Sequence, residues 1–583
     1  MNPIGQEAEV RRMALSGDDD RRAASCRVLA EVGDAEDVAL LSGMLEDATT
    51  GPRTRLAAAY ALCRIDRRHS ESLGGLDWGV IALYGLGMIG VGWFYSRRNS
   101  SAEDYLLGGR GMRPWAVGLS MFATLLSTIS YLSYPGEVIR YGPMILSGIA
   151  VYPFIFFVVG YFLIPSIMRL RVTSAYEILE TRFGLSIRML GGVIFLSLRL
   201  LWMATIIYVT TSTVIIPMLN WDESWTPVIC AVLGVVTVIY TSMGGLRAVV
   251  FTDVIQTCIL FGGAILTMVL ITVQLGGVGA WWPDRWLAHW PEPEWGLDTG
   301  ARISFVGLMI AMFTWYVCTS GSDQMAIQRY LATRDAPAAR RVLLIALASD
   351  AMVAGFLVLL GLALLAYYTA NPHALPDGQT MVGGADKLFT HFIAGGLPVG
   401  VRGLVIAGLL AAAMSSLSSG VNSSSSVIAI DFVERFQKLR HSEPRRVMLV
   451  KLISCLVGVV VVALSLYVSL VPGNIIELAY RVESPGHPLF LLFFWALFVP
   501  WATTPGAWCA LASGAVAILI AYWEPLSGLP VTGRLIALLR DVTGVEAVSF
   551  CGSCPPSLST GMLVGSLCSL LPVGKRNALK TVD

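Results

Sequence analysis

The sequence predicts an all-α integral membrane protein of about 13 transmembrane helices, preceded by a small α-helical segment. Three observations predict it. Hydrophobic residues make up 55% of the 583 positions and charged residues only 14%, and the mean hydropathy is +0.67, far from the balance of a water-soluble domain. Apolar runs near the roughly 20 residues needed to cross a bilayer recur from Leu76 almost to the end of the chain.

The first element is the segment 1–72, where the pattern Arg22-Ala23-Ala24 with Leu29 and Val32 returns 33 residues later as Arg55-Leu56-Ala57 with Leu62 and Ile65. Helix-length units at that offset resemble HEAT-type repeats, and two units are too few for a free-standing solenoid. The same segment carries Asp18-Asp19-Asp20-Arg21-Arg22 and no apolar run of a leader peptide, so the first span is expected to act as the insertion signal.

Residues 73–583 form the transmembrane domain, with candidate spans at 77–95, 114–136, 143–168, 190–217, 226–242, 249–273, 302–321, 342–368, 401–431, 448–471, 474–500, 504–523 and 558–574. Gly, Pro and Ser clusters interrupt 114–136 and 302–321, as in the discontinuous helices of transporters. Short-loop cations crowd one side, among them Arg97, Arg98, Arg169, Arg171, Arg247, Arg329, Arg340, Arg341, Arg445 and Lys575, which marks that side as cytoplasmic. An odd number of spans then puts segment 1–72 outside the cell membrane and the C-terminus in the cytoplasm. The loop with Trp281, Trp282, Trp286, Trp290 and Trp295 falls outside, where interfacial aromatics belong.

A net charge of +1 offers no basic footprint for nucleic acid. No clustered His/Cys set or nucleophile motif suggests an enzyme. Most of the ten cysteines lie in apolar runs and read as small hydrophobes; Cys551 and Cys554 leave open a redox pair, a metal half-site or a local disulfide.

Polar residues inside spans carry the chemistry. Arg199, Asp253, Asp350, Glu477 and Arg481 each cost about 2.5–3.5 kcal/mol to insert, so each should face a cavity or a partner. In 408–426, Ser415, Ser419, Asn422 and Ser426 are spaced by four, three and four residues, which sets a hydroxyl and amide stripe on one helix face. Interhelical packing through small residues and an ion path both fit that stripe. A hard cation wants oxygen ligands, and the run Ala123 to Ser130 leading into Tyr134-Pro135-Gly136 is where a broken helix would free backbone carbonyls.

Taken in order, Asp104-Tyr105-Leu106-Leu107-Gly108-Gly109-Arg110, Pro135-Gly136, Gly244-Gly245-Leu246-Arg247-Ala248-Val249-Val250-Phe251-Thr252-Asp253, Ser322-Asp323-Gln324 with Gln328-Arg329-Tyr330-Leu331, and Ala412-Ala413-Met414-Ser415-Ser416 resemble the sodium/solute symporter family over about residues 76–525. The resemblance implies a five-plus-five inverted repeat of the LeuT type with solute and ion near the midplane. It carries a sodium site to the carbonyls of Ala123, Leu126 and Ala412 and the hydroxyls of Ser415 and Ser416, and a second ion site or exit path to Asp253 and Ser419.

For the solute, the resemblance points to Ser130, Tyr152, Tyr316, Thr319, Asp350 and Glu477. Thr319 stands where sugar-carrying members have a gating tyrosine. The function this implies is sodium-coupled symport of a small polar organic solute, namely a sugar or polyol, an amine-bearing solute or a monocarboxylate, by alternating access. The N-terminal segment motivates a second reading, a transporter-like membrane sensor that reports solute binding.

Overall fold

The computed structural model describes residues 73–98, 101–170, 172–219, 221–297, 302–375, 379–436, 443–468, 486–522 and 554–570, together with parts of 10–61. Among these residues every regular element is helical. In the N-terminal segment, α1 (Asp19–Val32) and α2 (Ala35–Glu46) share a small cluster of Ala23, Cys26, Leu29, Leu41 and Met44 with Ala57, Ala58 and Ala61. Thr54 donates to the Asp19 carboxylate at 2.6 Å, which ties the two ends of the segment together.

The membrane part runs through α3 (Gly75–Ser96), α4 (Pro114–Leu125), α5 (Thr128–Tyr141), α6 (Pro143–Met168), α7 (Leu185–Leu219), α8 (Thr226–Leu275), α9 (Phe305–Ser322), α10 (Gln324–Leu331), α11 (Ala336–Ala370), α12 (Ala385–Gly396), α13 (Val401–Glu434), α14 (Glu443–Ser465), α15 (Gly486–Phe498), α16 (Thr504–Tyr522) and α17 (Cys554–Leu570). Eight helices are long and apolar enough to cross a membrane, and the bent pair α4–α5 makes nine among the described residues. That is fewer than the thirteen runs read from the sequence. Part of the difference is the run 474–500, of which 474–485 lie outside the described residues.

Another part is α8, which the sequence reading divides into 226–242 and 249–273. Fifty residues at 1.5 Å each would span about 75 Å, more than twice the hydrocarbon core. The backbone solves this at Gly245, whose φ of 65° and ψ of −164° break the helix into two arms. A Cβ there would lie 2.6 Å from the Tyr105 carbonyl oxygen, so glycine is required both for the turn and for the close approach.

The α4–α5 span bends by 65°. Leu126 and Ser127 are extended (φ −80° and −114°), and the Ser127 hydroxyl accepts from the Ser130 N–H to cap the second half. The expected break within 302–321 falls just after it, at Asp323, which is extended (φ −84°, ψ 124°) and caps α10 through the Met325 N–H at 2.7 Å. Two helices broken at a capped, extended residue are what the inverted-repeat expectation requires.

Near the centre lies α13, with almost every side chain from Val405 to Val427 buried. Its start is held by Asp77 of α3, which accepts the N–H groups of Gly400 and Gly403 at 2.7 and 2.8 Å and pairs with Arg402. A carboxylate at a helix N-terminus satisfies orphan donors and suits the helix dipole. Outward-facing residues such as Leu83, Val273 and Leu452 are apolar and exposed, which is the surface lipid would cover.

Candidate ion and solute sites

Where α4 ends at the bend, the carbonyls of its last turn lose their helical partners. Two serines of α13 take them. Ser415 Oγ lies 2.8 Å from the Ala123 carbonyl oxygen and 3.0 Å from that of Ala412, and Ser416 Oγ lies 3.1 Å from the carbonyls of both Thr124 and Leu126. The oxygens assigned from the sequence to the sodium site thus fall into two hydrogen-bonded groups, Ser415 with Ala123 and Ala412, and Ser416 with Leu126 and, in addition, Thr124. A void of about 10 Å³ beside them, on the scale of a single water or ion, is lined by Ala123, Leu126, Ala412 and Ser415 with Gln256, Thr257 and Leu260 of α8.

One turn further along α13 a second polar cluster begins. Ser419 Oγ is 2.8 Å from Thr124 Oγ1, which itself donates to the Ser120 carbonyl at 2.7 Å. Arg329 donates to Ser419 Oγ at 2.5 Å, to Ser120 Oγ at 3.1 Å and to Asp253 Oδ2 at 3.3 Å. The Arg329–Asp253 pair is fully buried.

This corrects the sequence reading twice. Arg329, counted there among loop cations, is an interior side chain, because α10 is the second half of a broken helix and returns into the bundle. The Asp253–Ser419 site also already holds a cation of the protein's own, while Asp253 Oδ1 is buried with no hydrogen-bond partner among the described residues. Further along the stripe, the side-chain amide of Asn422 and the hydroxyl of Ser426 are buried and likewise unpaired.

Of the solute residues, Tyr152, Tyr316 and Asp350 come together. Tyr152 and Tyr316 both donate to Asp350 Oδ2, the latter at 2.6 Å, and their rings meet edge-on 5.4 Å apart. Thr319 lines a different cavity, one turn along α9, and Ser130 is half-buried at the start of α5. Glu477 and Arg481 lie outside the described residues, as does Cys551. Arg199, another in-span charge, is ion-paired to Asp323.

The cavity at Thr319 offers about 50 Å³ of free space, room for a few water-sized groups. Arg199 and Asp323 line it with Trp202, Trp315, Ser322 and His487. Arg199 Nε is buried and has no hydrogen-bond partner among the described residues. Trp315 packs edge-on against Tyr316 at 4.8 Å, so this cavity adjoins the Asp350 cluster across one aromatic contact. Sequence reasoning missed Asp323, Ser120, Thr124 and Arg329 as site residues. The signal for two of them was present in Ser322-Asp323-Gln324 and Gln328-Arg329-Tyr330, taken only as family text.

A many-helix bundle with two broken helices, serine-bonded carbonyls at one break and a cavity lined by an Arg–Asp pair at the other has the architecture of a secondary transporter. The chain belongs to the sodium:solute symporter family, which matches residues 105–514. It is 31% identical over 464 residues to the sodium/sialic acid symporter of Proteus mirabilis, covering 77% of this chain and 90% of that one. It is 28% identical over 458 residues to the sodium-coupled monocarboxylate transporter 1 of Xenopus laevis, covering 75% of this chain and 70% of that one.

A solved Na+-coupled sialic acid symporter, substrate-bound and outward-open, superposes with a TM-score of 0.70 at 27% identity, covering 87% of this chain and all of the other. The protein is thus a multi-pass membrane symporter with sodium as its coupling ion, and its relatives are transporters, which leaves the enzyme and sensor readings without support.

Proposed function

We propose that the protein carries a small carboxylate-bearing organic solute into the cell together with sodium, which is held by Ala123, Leu126, Ala412, Ser415 and Ser416. The ion assignment is supported by the two α13 serines, which bond the carbonyls freed at the α4 break. A sodium ion entering there would turn the two serine lone pairs inward and give the stranded carbonyls a positive partner.

For the solute, Arg199 in the cavity at the α9 break is a cation with an unused buried donor, suited to a carboxylate. The Asp350 cluster beside it would repel an acid and accept from a hydroxyl or amine at the solute's other end. The names of the two relatives above, a sialic acid symporter and a monocarboxylate transporter, favour the same chemistry. Asp253 Oδ1 and the stripe Ser419, Asn422 and Ser426 then serve as an ion exit path.

Uptake of labelled lactate, sialic acid and glucose into proteoliposomes, with and without an inward sodium gradient, tests this. Sodium-driven uptake of either acid is expected. Sodium-driven uptake of glucose alone replaces the carboxylate with a sugar, and uptake indifferent to sodium removes the ion assignment.

A further inference from the structure

The short helix α10 touches both sites. At its start, Asp323 caps it through the Met325 N–H and also pairs with Arg199 of α7 in the solute cavity. At its far end, Arg329 is clamped on Ser120 of α4, Asp253 of α8 and Ser419 of α13. Ser419 in turn bonds Thr124, whose carbonyl accepts from Ser416 of the ion cage. Eight residues thus join the solute cavity to the ion cage through two charged clamps.

We propose that α10 is a latch coupling solute to sodium, with Asp323 and Arg329 as its positioning residues; the inference rests on the carboxylate reading above. A solute carboxylate at Arg199 competes with Asp323 for the same guanidinium. When the solute wins, α10 is released from α7 while its own cap stays intact, because Asp323 Oδ1 still accepts from Met325. The helix is then held chiefly by the Arg329 clamp on α4, α8 and α13, and sodium binding orders two of those three. Each ligand thereby favours the arrangement the other needs, and by linkage the effect is reciprocal.

A bond of α10 to anything else limits how far it moves: Gln324 binds the backbone of Thr173 and Ala175, and Gln328 donates to the Leu106 carbonyl at 2.6 Å. These are neutral contacts that leave the two charged clamps as the groups that answer to ligand charge.

The test uses the full-length protein in detergent and reads the sodium concentration for half-maximal change in tryptophan fluorescence, alone and with saturating lactate or sialic acid. Trp202 and Trp315 line the cavity and report on it. In the wild type, one of the two acids is expected to lower that concentration by at least about fivefold, the low end of ordinary coupling between sites. Asp323→Asn, which keeps a good helix cap, should abolish that shift, leave the sodium-only value unchanged and tighten the acid, since Arg199 no longer has a competitor. Asp323→Glu should restore the shift.

Should Asp323→Asn not fold, Ser120→Ala loosens the far clamp and must reduce the shift with acid affinity in the absence of sodium kept. Retention of the full shift in these variants, or loss of acid binding in Asp323→Asn, overturns the latch while sparing the carboxylate reading. A wild type in which neither acid shifts the sodium value overturns both.

Discussion

The hydroxyl oxygen of Ser415 lies 2.8 Å from the carbonyl oxygen of Ala123, across 292 residues of chain. That contact joins the middle of α13 to the broken end of α4, and its neighbour Ser416 spans the same gap to Thr124 and Leu126. Replacing both serines with alanine removes two hydroxyl ligands from a hard cation. Each interaction with a charged group contributes about 1.5–3 kcal/mol, so with both hydroxyls gone half-saturating sodium should rise by roughly a hundredfold or more. Sodium-titrated uptake measures it, and an unchanged sodium dependence would sink the assignment.

Arg329 and Asp253 are a fully buried ion pair, so truncating one partner strands the other. Arg329→Met should lower stability by about 3–5 kcal/mol. Adding Asp253→Asn to it should recover part of the loss, because no uncompensated charge then remains. Thermal unfolding of Arg329→Met, Asp253→Asn and the double variant decides, and additive losses in the double variant would remove the pairing argument.

Asp350 is expected to act on the solute. Among the described residues its partners are the hydroxyls of Tyr152 and Tyr316, and Arg199 is engaged elsewhere. Asp350→Asn should therefore change solute preference or weaken solute affinity with thermal stability near that of the wild type. A folded variant with unaltered affinity across a competition panel excludes Asp350 from the site.

Gly245 should tolerate no side chain. Its φ of 65° with ψ of −164° is a region open essentially to glycine alone, and the Tyr105 carbonyl stands 2.6 Å from where a Cβ would be. Gly245→Ala is expected to cut the yield of folded protein in the membrane severely, whereas Gly262→Ala, with open space around it, should not. Detergent-solubilised fluorescence size-exclusion profiles of the two compare them directly.

The charge bias of the loops predicts segment 1–72 outside and the C-terminus in the cytoplasm. A single reporter cysteine replacing Ser16 should react with an impermeant maleimide in intact cells. Labelling only after the cytoplasm is opened reverses the orientation.

The membrane class and most of the spans are determined by local text, while the five oxygens proposed for sodium were carried over from the family motifs around Ala123 and Ala412 to Ser416. Hydropathy is a property of each run of about 20 residues, and a helix break between Thr124 and Thr128 is foreshadowed by hydroxyl and β-branched residues beside Pro135-Gly136. Partnership is not a local property. Whether Arg329 is a loop cation or the buried partner of Asp253 depends on where α10 turns after Asp323, and whether Arg199 meets Asp350 or Asp323 depends on how α7 packs against the α9 break. Both charges had to find a partner in the bilayer, because an unpaired one costs several kcal/mol there; which partner it found was decided only when helices from four distant stretches of the chain were brought together.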